Sequence, residues 1–494
     1  MRTLIHGGWV VGYEGASHVL FRDGVVVYED DRIAHVGPSF AGEVDRTIEA
    51  GGKLVSPGFI DTHVHSGHRA SHRLITDTGR PDYFGQPFLE ISVPREGTRV
   101  GGDPRYARPG APGADEQAEL HATFTVAELL RNGITTFVEF GSQRDVQEHL
   151  LREVAARGIR AYLGPGYDSG RWVGDERGRL KRVTDEAAGR REFEAATRFI
   201  ERIEGTVNGR ARGLLVPREV ETTSLELLRA TRAAADRLHV PIATHAAYNV
   251  IEFFQLVMEH RQTPIELMAS IGLLGPDVIV GHGNFVAENP LMNYAGGRDV
   301  ELMGAARVTV SHCPVNIARR GRSLDSWARY RRAGVNLALG SDTYPRDLIM
   351  QMRMASYFGK VIGHDLKSAS AAEVFEAATL GGARALGRDD LGRLAPGAKA
   401  DIAIIDLGGD GVRYGPVRDP IKSLVECGIG DDVDTVIVDG VVRMEARKIP
   451  GVDWAALRRR AQTSAEEIWN RWQEWDALGR TAVEASPWSF PLEN

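Results

Sequence analysis

Eight apolar runs recur between residues 58 and 342, and they limit the chain to very few folds. They read GFIDTHVH (58–65), ITTFVEF (134–140), IRAYLGP (159–165), RGLLVP (212–217), VPIATH (240–245), DVIVGH (277–282), RVTVSH (307–312) and VNLALGSD (335–342). The runs are nearly continuous rather than alternating, as expected of strands buried on both faces. Helical patterns separate most of them, for example LREVAARG (151–158) and SLELLRATRAAADRLH (224–239). Strands that alternate with helices build a parallel sheet, and eight such units close into a barrel. The predicted fold is therefore α/β, a (β/α)8 TIM barrel over residues 58–391.

The two ends read differently. LIHGGWVVG, HVLFRDGVVVYED, DRIAHVGPSF and RTIEAGGKLVSPG are short β-like runs with turns between them. GRLAPGAKADIAIIDLGG and DDVDTVIVDGVVRMEARKI, near the other end, are similar, with Asp439-Gly440 as a hairpin turn. No helix nearby is long enough to cover either set. The expectation is one small β-sandwich built from residues 1–57 and 392–448. Residues 449–494 form a helical tail, with Leu457, Ala461, Ile468, Trp472 and Trp475 as its buried stripe.

Composition excludes several classes. Lys plus Arg number 60 and Asp plus Glu 67, a net charge of -7, which offers no broad basic surface for nucleic acid. Cys313 and Cys427 are the only cysteines, which rules out a disulfide scaffold and fits a reducing compartment. No apolar stretch is long enough to span a bilayer. The opening MRTLIHGGWVVGYEG lacks signal-peptide organisation. The expectation is a cytoplasmic protein that acts on a small molecule and binds neither nucleic acid nor membrane. The tryptophan-rich tail and the exposed sandwich edges also suggest a homo-oligomer.

Polar residues gather at the C-terminal ends of the predicted strands. His63 and His65 end the first, His245 the fifth, His282 the sixth, His312 the seventh and Asp342 the eighth. In a strand, residues i and i+2 share a face, so His63 and His65 stand side by side. The active site of such a barrel lies at this end. Imidazoles with a carboxylate suit one divalent ion: Zn²⁺ first, with Fe²⁺, Co²⁺ or Mn²⁺ as alternatives. An ion with an open position lowers the pKa of a bound water from about 15.7 towards about 7.

The combination of PGFIDTHVH, GHG (281–283), SHCP (311–314), GSDT (340–343) and AATLGGARALG…LGRLAPGAKADIAIID (377–406) resembles the amidohydrolase superfamily over nearly the whole chain. The resemblance implies that His63, His65, His245 and Asp342 are metal ligands. It implies a polarising or proton-shuttling role for His282 and a substrate-side role for His312. The two-metal members bridge their ions with a lysine or glutamate at strand four. RGLLVPREV has no lysine, so one metal is expected. SHCP points to the one-metal branch that includes guanine and cytosine deaminases and triazine hydrolases. That branch usually carries a proton-moving glutamate three residues after the strand-five histidine. Tyr248 holds that place here, and Asn316 stands where the branch has serine; both are expected to contact substrate.

With that glutamate missing, the catalytic work is expected to fall to Asp342, aided by His282. This favours metal-dependent attack on a carbonyl, cleaving a C–N bond of a small neutral phenylurea, carbamate, thiocarbamate or anilide, as in phenylurea and molinate hydrolases. The alternative is a deaminase or dechlorinase of a purine, pyrimidine or s-triazine. A scaffold that has lost its chemistry is a third possibility, but such relatives lose ligands and this chain keeps them. Residues 66–115 form a long segment over the barrel mouth. There His72, with His68, either contacts substrate or is a solvated pair. Tyr83, Phe84 and Phe88 either wall an apolar pocket or pack the segment down. Tyr167 and Trp172 carry the same two readings.

Overall fold

The computed structural model describes residues 1–66, 74–75, 93, 96, 114–175, 177, 179–408, 413–474 and 476–493. His68, His72, Tyr83, Phe84, Phe88 and Trp475 lie outside the described residues.

The eight predicted strands form a barrel made of two parallel four-stranded sheets. One comprises Phe59–Val64, Ile134–Glu139, Arg160–Leu163 and Ala211–Gly213; the other comprises Ile242–Ala246, Val278–His282, Thr309–His312 and Asn336–Leu339. Isolated bridges close both seams. Val64 pairs with Asp342 at one, and Leu215 with Ile242 and Glu219 with His245 at the other. The run RGLLVP divides into two short strands. Ala211–Gly213 pairs with Arg160–Leu163, and Val216–Pro217 pairs with Gly166–Tyr167.

The helices cover the outside through apolar spacing. Helix Leu225–Leu238 starts at Ser224, whose side chain accepts the Leu227 N–H, and it buries Leu227, Leu228, Thr231, Ala234 and Ala235. These positions recur at intervals of three and four, the spacing of one helix face. Tyr167 is also structural: its buried hydroxyl hydrogen-bonds the Thr231 hydroxyl at 2.8 Å on that helix face.

Strands from both chain ends pair in one eight-stranded sheet around a core that includes Ile5, Val10, Val26, Tyr28, Val55, Ile402, Ile404 and Ile437. Arg2–Glu14 carries this sheet, pairing with Arg46–Glu49 along its first half and with Lys53–Pro57 further on. Val438 faces Val441 across the Asp439-Gly440 turn, where both residues have positive φ, 48° and 71°. That geometry is the two-residue hairpin turn that Asp-Gly favours. Arg160, fully buried under the barrel, joins the two units: its Nη2 lies 2.7 Å from Asp439 Oδ1 and 3.2 Å from Asp401 Oδ2.

In the tail, helix Trp454–Asn470 sends Leu457 into the main core and sets Trp454 against Phe124 of helix Ala114–Arg131, ring centres 5.0 Å apart and planes tilted by 50°. Ala465, Ile468 and Trp472 form a separate cluster with Ala485 and Leu74. Among the described residues, no helix is long and apolar enough to cross a membrane.

Candidate active site

The histidines at the strand ends converge. His63 Nε2 lies 3.0 Å from His65 Nε2, which lies 3.2 Å from His245 Nε2. Asp342 Oδ1 is 3.6 Å from His65 Nε2, and Asp342 Oδ2 is 3.7 Å from His282 Nε2. Donor atoms of His63, His65 and Asp342 lie within 4.8 Å of one another; so do those of His63, His245 and His282, and those of His282, Cys313 and Asp342. Imidazole nitrogens that face one another at such distances suit a shared cation.

Local structure sets this arrangement. His63 and His65 leave strand Phe59–Val64 on one face, and the His63 ring stacks on Phe140, centres 3.7 Å apart and planes 8° from parallel. His245 is fixed through its other nitrogen, since Nδ1 donates to the Arg218 carbonyl at 2.6 Å. That contact selects the tautomer whose Nε2 lone pair points into the cluster. His282 and Asp342 both adopt positive φ, 76° and 62°. Non-glycine residues rarely take this conformation, and it is retained where a site requires it.

Two glycines leave room for His63. A Cβ on Gly281 would lie 2.7 Å from His63 Cε1, and one on Gly340 would overlap His63 Cβ. The motifs GHG and GSDT thus combine a site residue with the gap its neighbour needs.

Electrostatics favour ligation. Burial lowers the pKa values of His63 and His282 well below the ordinary imidazole range, that of His245 to about 4 and that of His312 to about 3. Near neutral pH all four are therefore neutral, with lone pairs available. Burial raises Asp342 to about 6, while Arg320 and a hydrogen bond from Asn316 hold it down. Asn316 Nδ2 donates to Asp342 Oδ2, so Asn316 orients the carboxylate.

The strand-four end offers no second-metal bridge. The Arg218 guanidinium is paired with Asp168 at 2.6 Å. Glu219 accepts from the Thr222 hydroxyl at 3.1 Å and belongs to none of the convergent donor groups found among the described residues. The donor set fits one ion.

Tyr248 lies beside the cluster, its ring centre 5.7 Å from that of His245 and 6.4 Å from that of His282. His312 is buried with Nδ1 unpartnered, and its ring meets Trp327 edge-on. Four nearby residues escape a reading of sequence alone. Glu221 accepts from the Tyr248 hydroxyl at 2.6 Å and from Trp172 Nε1 at 3.2 Å. Glu252 accepts the N–H groups of Ala247 and Tyr248, each at 2.8 Å, and fixes the turn after strand five. Arg320 acts on Asp342 through charge, and Cys313 shares a donor group with His282 and Asp342. Only Cys313 carried a signal, its place in SHCP. The others bear no motif.

Comparisons with known proteins agree with this geometry. The family model described as "Amidohydrolase family" matches residues 54–443. A 5-methylthioadenosine/S-adenosylhomocysteine deaminase of Thermococcus onnurineus is 30% identical over 91% of this chain and 95% of its own. A 5'-deoxyadenosine deaminase of Methanothermobacter thermautotrophicus is 29% identical over 90% of this chain and 95% of its own. Among solved structures, a zinc-bound adenosine deaminase of Xanthomonas campestris shares the fold with a TM-score of 0.77 and 22% identity, covering 94% of this chain and 98% of that one. A mutant atrazine chlorohydrolase of Arthrobacter aurescens, complexed with zinc and atraton, also has a TM-score of 0.77 and 22% identity, covering 94% of this chain and 100% of that one. With the barrel, the sheet from both chain ends and the strand-end histidines in place, a family match across most of its length makes this chain a member of the amidohydrolase family, a metal-dependent hydrolase acting on C–N bonds.

Proposed function

We propose that the protein hydrolyses an exocyclic substituent, an amino group first of all, from an N-heterocycle of the adenosine type. The observation that carries this reading is the likeness, over nine-tenths of the chain, to deaminases of methylthioadenosine, S-adenosylhomocysteine and 5'-deoxyadenosine. It displaces the open-chain urea, carbamate or anilide reading that the sequence favours. That reading rested on Tyr248 in place of a glutamate, which left no carboxyl near the ring nitrogen. Glu221 now stands one hydrogen bond behind Tyr248, so the objection loses its force.

In this reading His63, His65, His245 and Asp342 hold the ion, with zinc the first candidate. Bound there, the ion supplies a Lewis acid that activates water. Asp342 Oδ2, on the side facing His282, takes a proton from the attacking water and passes it to the departing nitrogen. His282 polarises the attacked centre, Asn316 steers Asp342, and His312 contacts the substrate. The exposed Trp488, Phe490 and Leu492 of the tail support the expected homo-oligomer, which sedimentation would test.

The experiment is product analysis by mass spectrometry. Zinc-loaded protein is incubated with adenosine, 5'-deoxyadenosine, methylthioadenosine, guanine, cytosine, aminotriazines, phenylureas, carbamates and anilides. Ammonia release from a ring, abolished in Asp342→Asn, is the expected result. Amine release from open-chain substrates alone would overturn it.

A further inference from the structure

The segments after strands three and four and the turn after strand five bring together an indole, a carboxyl and a phenol at the edge of the histidine cluster. Tyr248 is 5% exposed and Glu221 3% exposed. Glu221 Oε1 takes both the Tyr248 hydroxyl, at 2.6 Å, and the Trp172 N–H, at 3.2 Å. Glu221 Oε2 is buried without a hydrogen-bond partner, and the residue makes no ion pair among the described residues. An unpartnered oxygen is costly on a buried carboxylate and tolerable on a neutral acid. Burial accordingly raises the Glu221 pKa. The assembly is rigidly held: Glu252 accepts the backbone N–H of Tyr248, and Asn249 caps the following helix in a reciprocal box with Glu252.

From this geometry we infer that Tyr248 donates the proton to the substrate's ring nitrogen and that Glu221 replaces that proton through the phenolic oxygen. The inference rests on the N-heterocycle reading and gives it a proton path. A phenol is a poor acid, with an ordinary pKa of about 10, and burial beside Glu221, Glu219 and Glu252 raises that of Tyr248 well above it. With the Glu221 proton on Oε1, the 2.6 Å contact runs from the carboxyl to the phenolic oxygen; the Tyr248 proton is then free to face the ring nitrogen, and no free phenolate forms. The Tyr248 O–H bond breaks as the ring N–H bond forms, while the Glu221 proton moves onto the Tyr248 oxygen and leaves a carboxylate. The water oxygen bonds to the ring carbon, and one water proton passes through Asp342 to the leaving amine. The carbon–nitrogen bond then breaks. The remaining hydroxyl proton, released as the carbon–oxygen double bond forms, restores the acid at Glu221. Tyr248 is thus the catalytic residue of the pair and Glu221 a positioning and proton-supplying residue.

The test uses the zinc-loaded, full-length protein and the best substrate found in the product screen. Tyr248→Phe and Glu221→Gln are each expected to lower kcat about 100-fold or more, the usual weight of a general acid, with KM changed less than about threefold. The double variant Tyr248→Glu/Glu221→Gln places a carboxyl directly at residue 248 and bypasses the relay. It is expected to recover at least about tenfold of the kcat lost in Glu221→Gln, a rescue that a merely structural role for Glu221 does not produce. Metal content and circular dichroism establish that each variant is folded and loaded. Near-normal kcat in Tyr248→Phe, or a folded, loaded double variant no better than Glu221→Gln, would overturn the relay alone. A wild-type protein that releases no ammonia from any heterocycle would overturn the functional reading, and the relay with it.

Discussion

Asp342 and His63 are joined through their backbones as well as through the site: the Asp342 N–H donates to the His63 carbonyl at 2.7 Å. The His65 N–H returns a bond to the Asp342 carbonyl at 2.8 Å. These bonds lie where the first strand meets the eighth, at one of the two seams closed only by isolated bridges.

Ion binding should therefore stabilise barrel closure. A ligand held only by the folded state adds RT ln(1 + [L]/Kd), about 4 kcal/mol at a thousandfold excess over Kd. Chelation is expected to lower the melting temperature. In hydrogen exchange, peptides covering residues 63–66, 216–220, 242–246 and 340–343 should lose protection before the rest of the barrel. Uniform loss across all eight strands would contradict the link between seam and site.

Gly281→Ala should weaken metal binding without unfolding the chain. The new methyl would sit 2.7 Å from His63 Cε1 and 3.0 Å from Phe140 Cε1, so the ring wedged between them has to move. Disturbing the groups that orient a ligand commonly costs 10- to 100-fold in metal affinity, and about tenfold is expected here. Competition with a zinc chelator measures it; wild-type affinity would show that the ring tolerates the methyl.

Asp299 gives stability a pH dependence remote from the metal cluster. Burial raises its pKa to about 7, against lowering by hydrogen bonds from the Thr263 hydroxyl and the Ala287 N–H. The folded state thus holds a proton that the unfolded state releases near pH 4. Stability from this group is complete below that pH, is lost as pH rises through about 7, and is level above. Asp299→Asn has no charge to bury: its Oδ1 accepts the Ala287 N–H, and its Nδ2 donates to the Thr263 hydroxyl oxygen, reversing that bond. It should flatten that part of the pH–stability curve and raise stability at pH 8, as urea unfolding across pH 5–8 would report. An unchanged slope would exclude Asp299 as its source.

Arg160→Met should destabilise the protein by about 3 kcal/mol, because Asp401 would remain buried without its cation, while Asp439 keeps Arg210 and Lys399. The turnover of folded, zinc-loaded variant should match wild type, since the network lies under the barrel rather than at its mouth. Denaturant unfolding and kcat, measured together, check both halves of the expectation.

What the sequence disclosed followed the distance over which the information is local. HxH, GHG and GSDT each place a ligand type at a strand end within a few residues, so all eight strands and the histidine cluster could be read directly. The division of RGLLVP into two strands was not legible, because it depends on pairing with two separate partners around Leu163 and Tyr167. Tyr248 read as a loss because its hydrogen-bond partner, Glu221, sits in another loop and belongs to no motif. The tail's apolar stripe was visible, but not that Ile468 and Trp472 pack with Leu74, nearly four hundred residues earlier. Contacts between distant segments leave no periodic trace.

The division of the barrel into two sheets has a consequence for how the protein is made. His63 and His65 stand in the first half, whereas His245, His282 and Asp342 stand in the second. During synthesis the first pair leaves the ribosome long before Asp342 does. A nascent chain therefore offers only His63 and His65 until strand five brings His245, and the full proposed ligand set only once Asp342 has emerged. On the proposed ligand set, the last ligand therefore arrives with the eighth strand, and the seam to the first strand and the complete donor group form together.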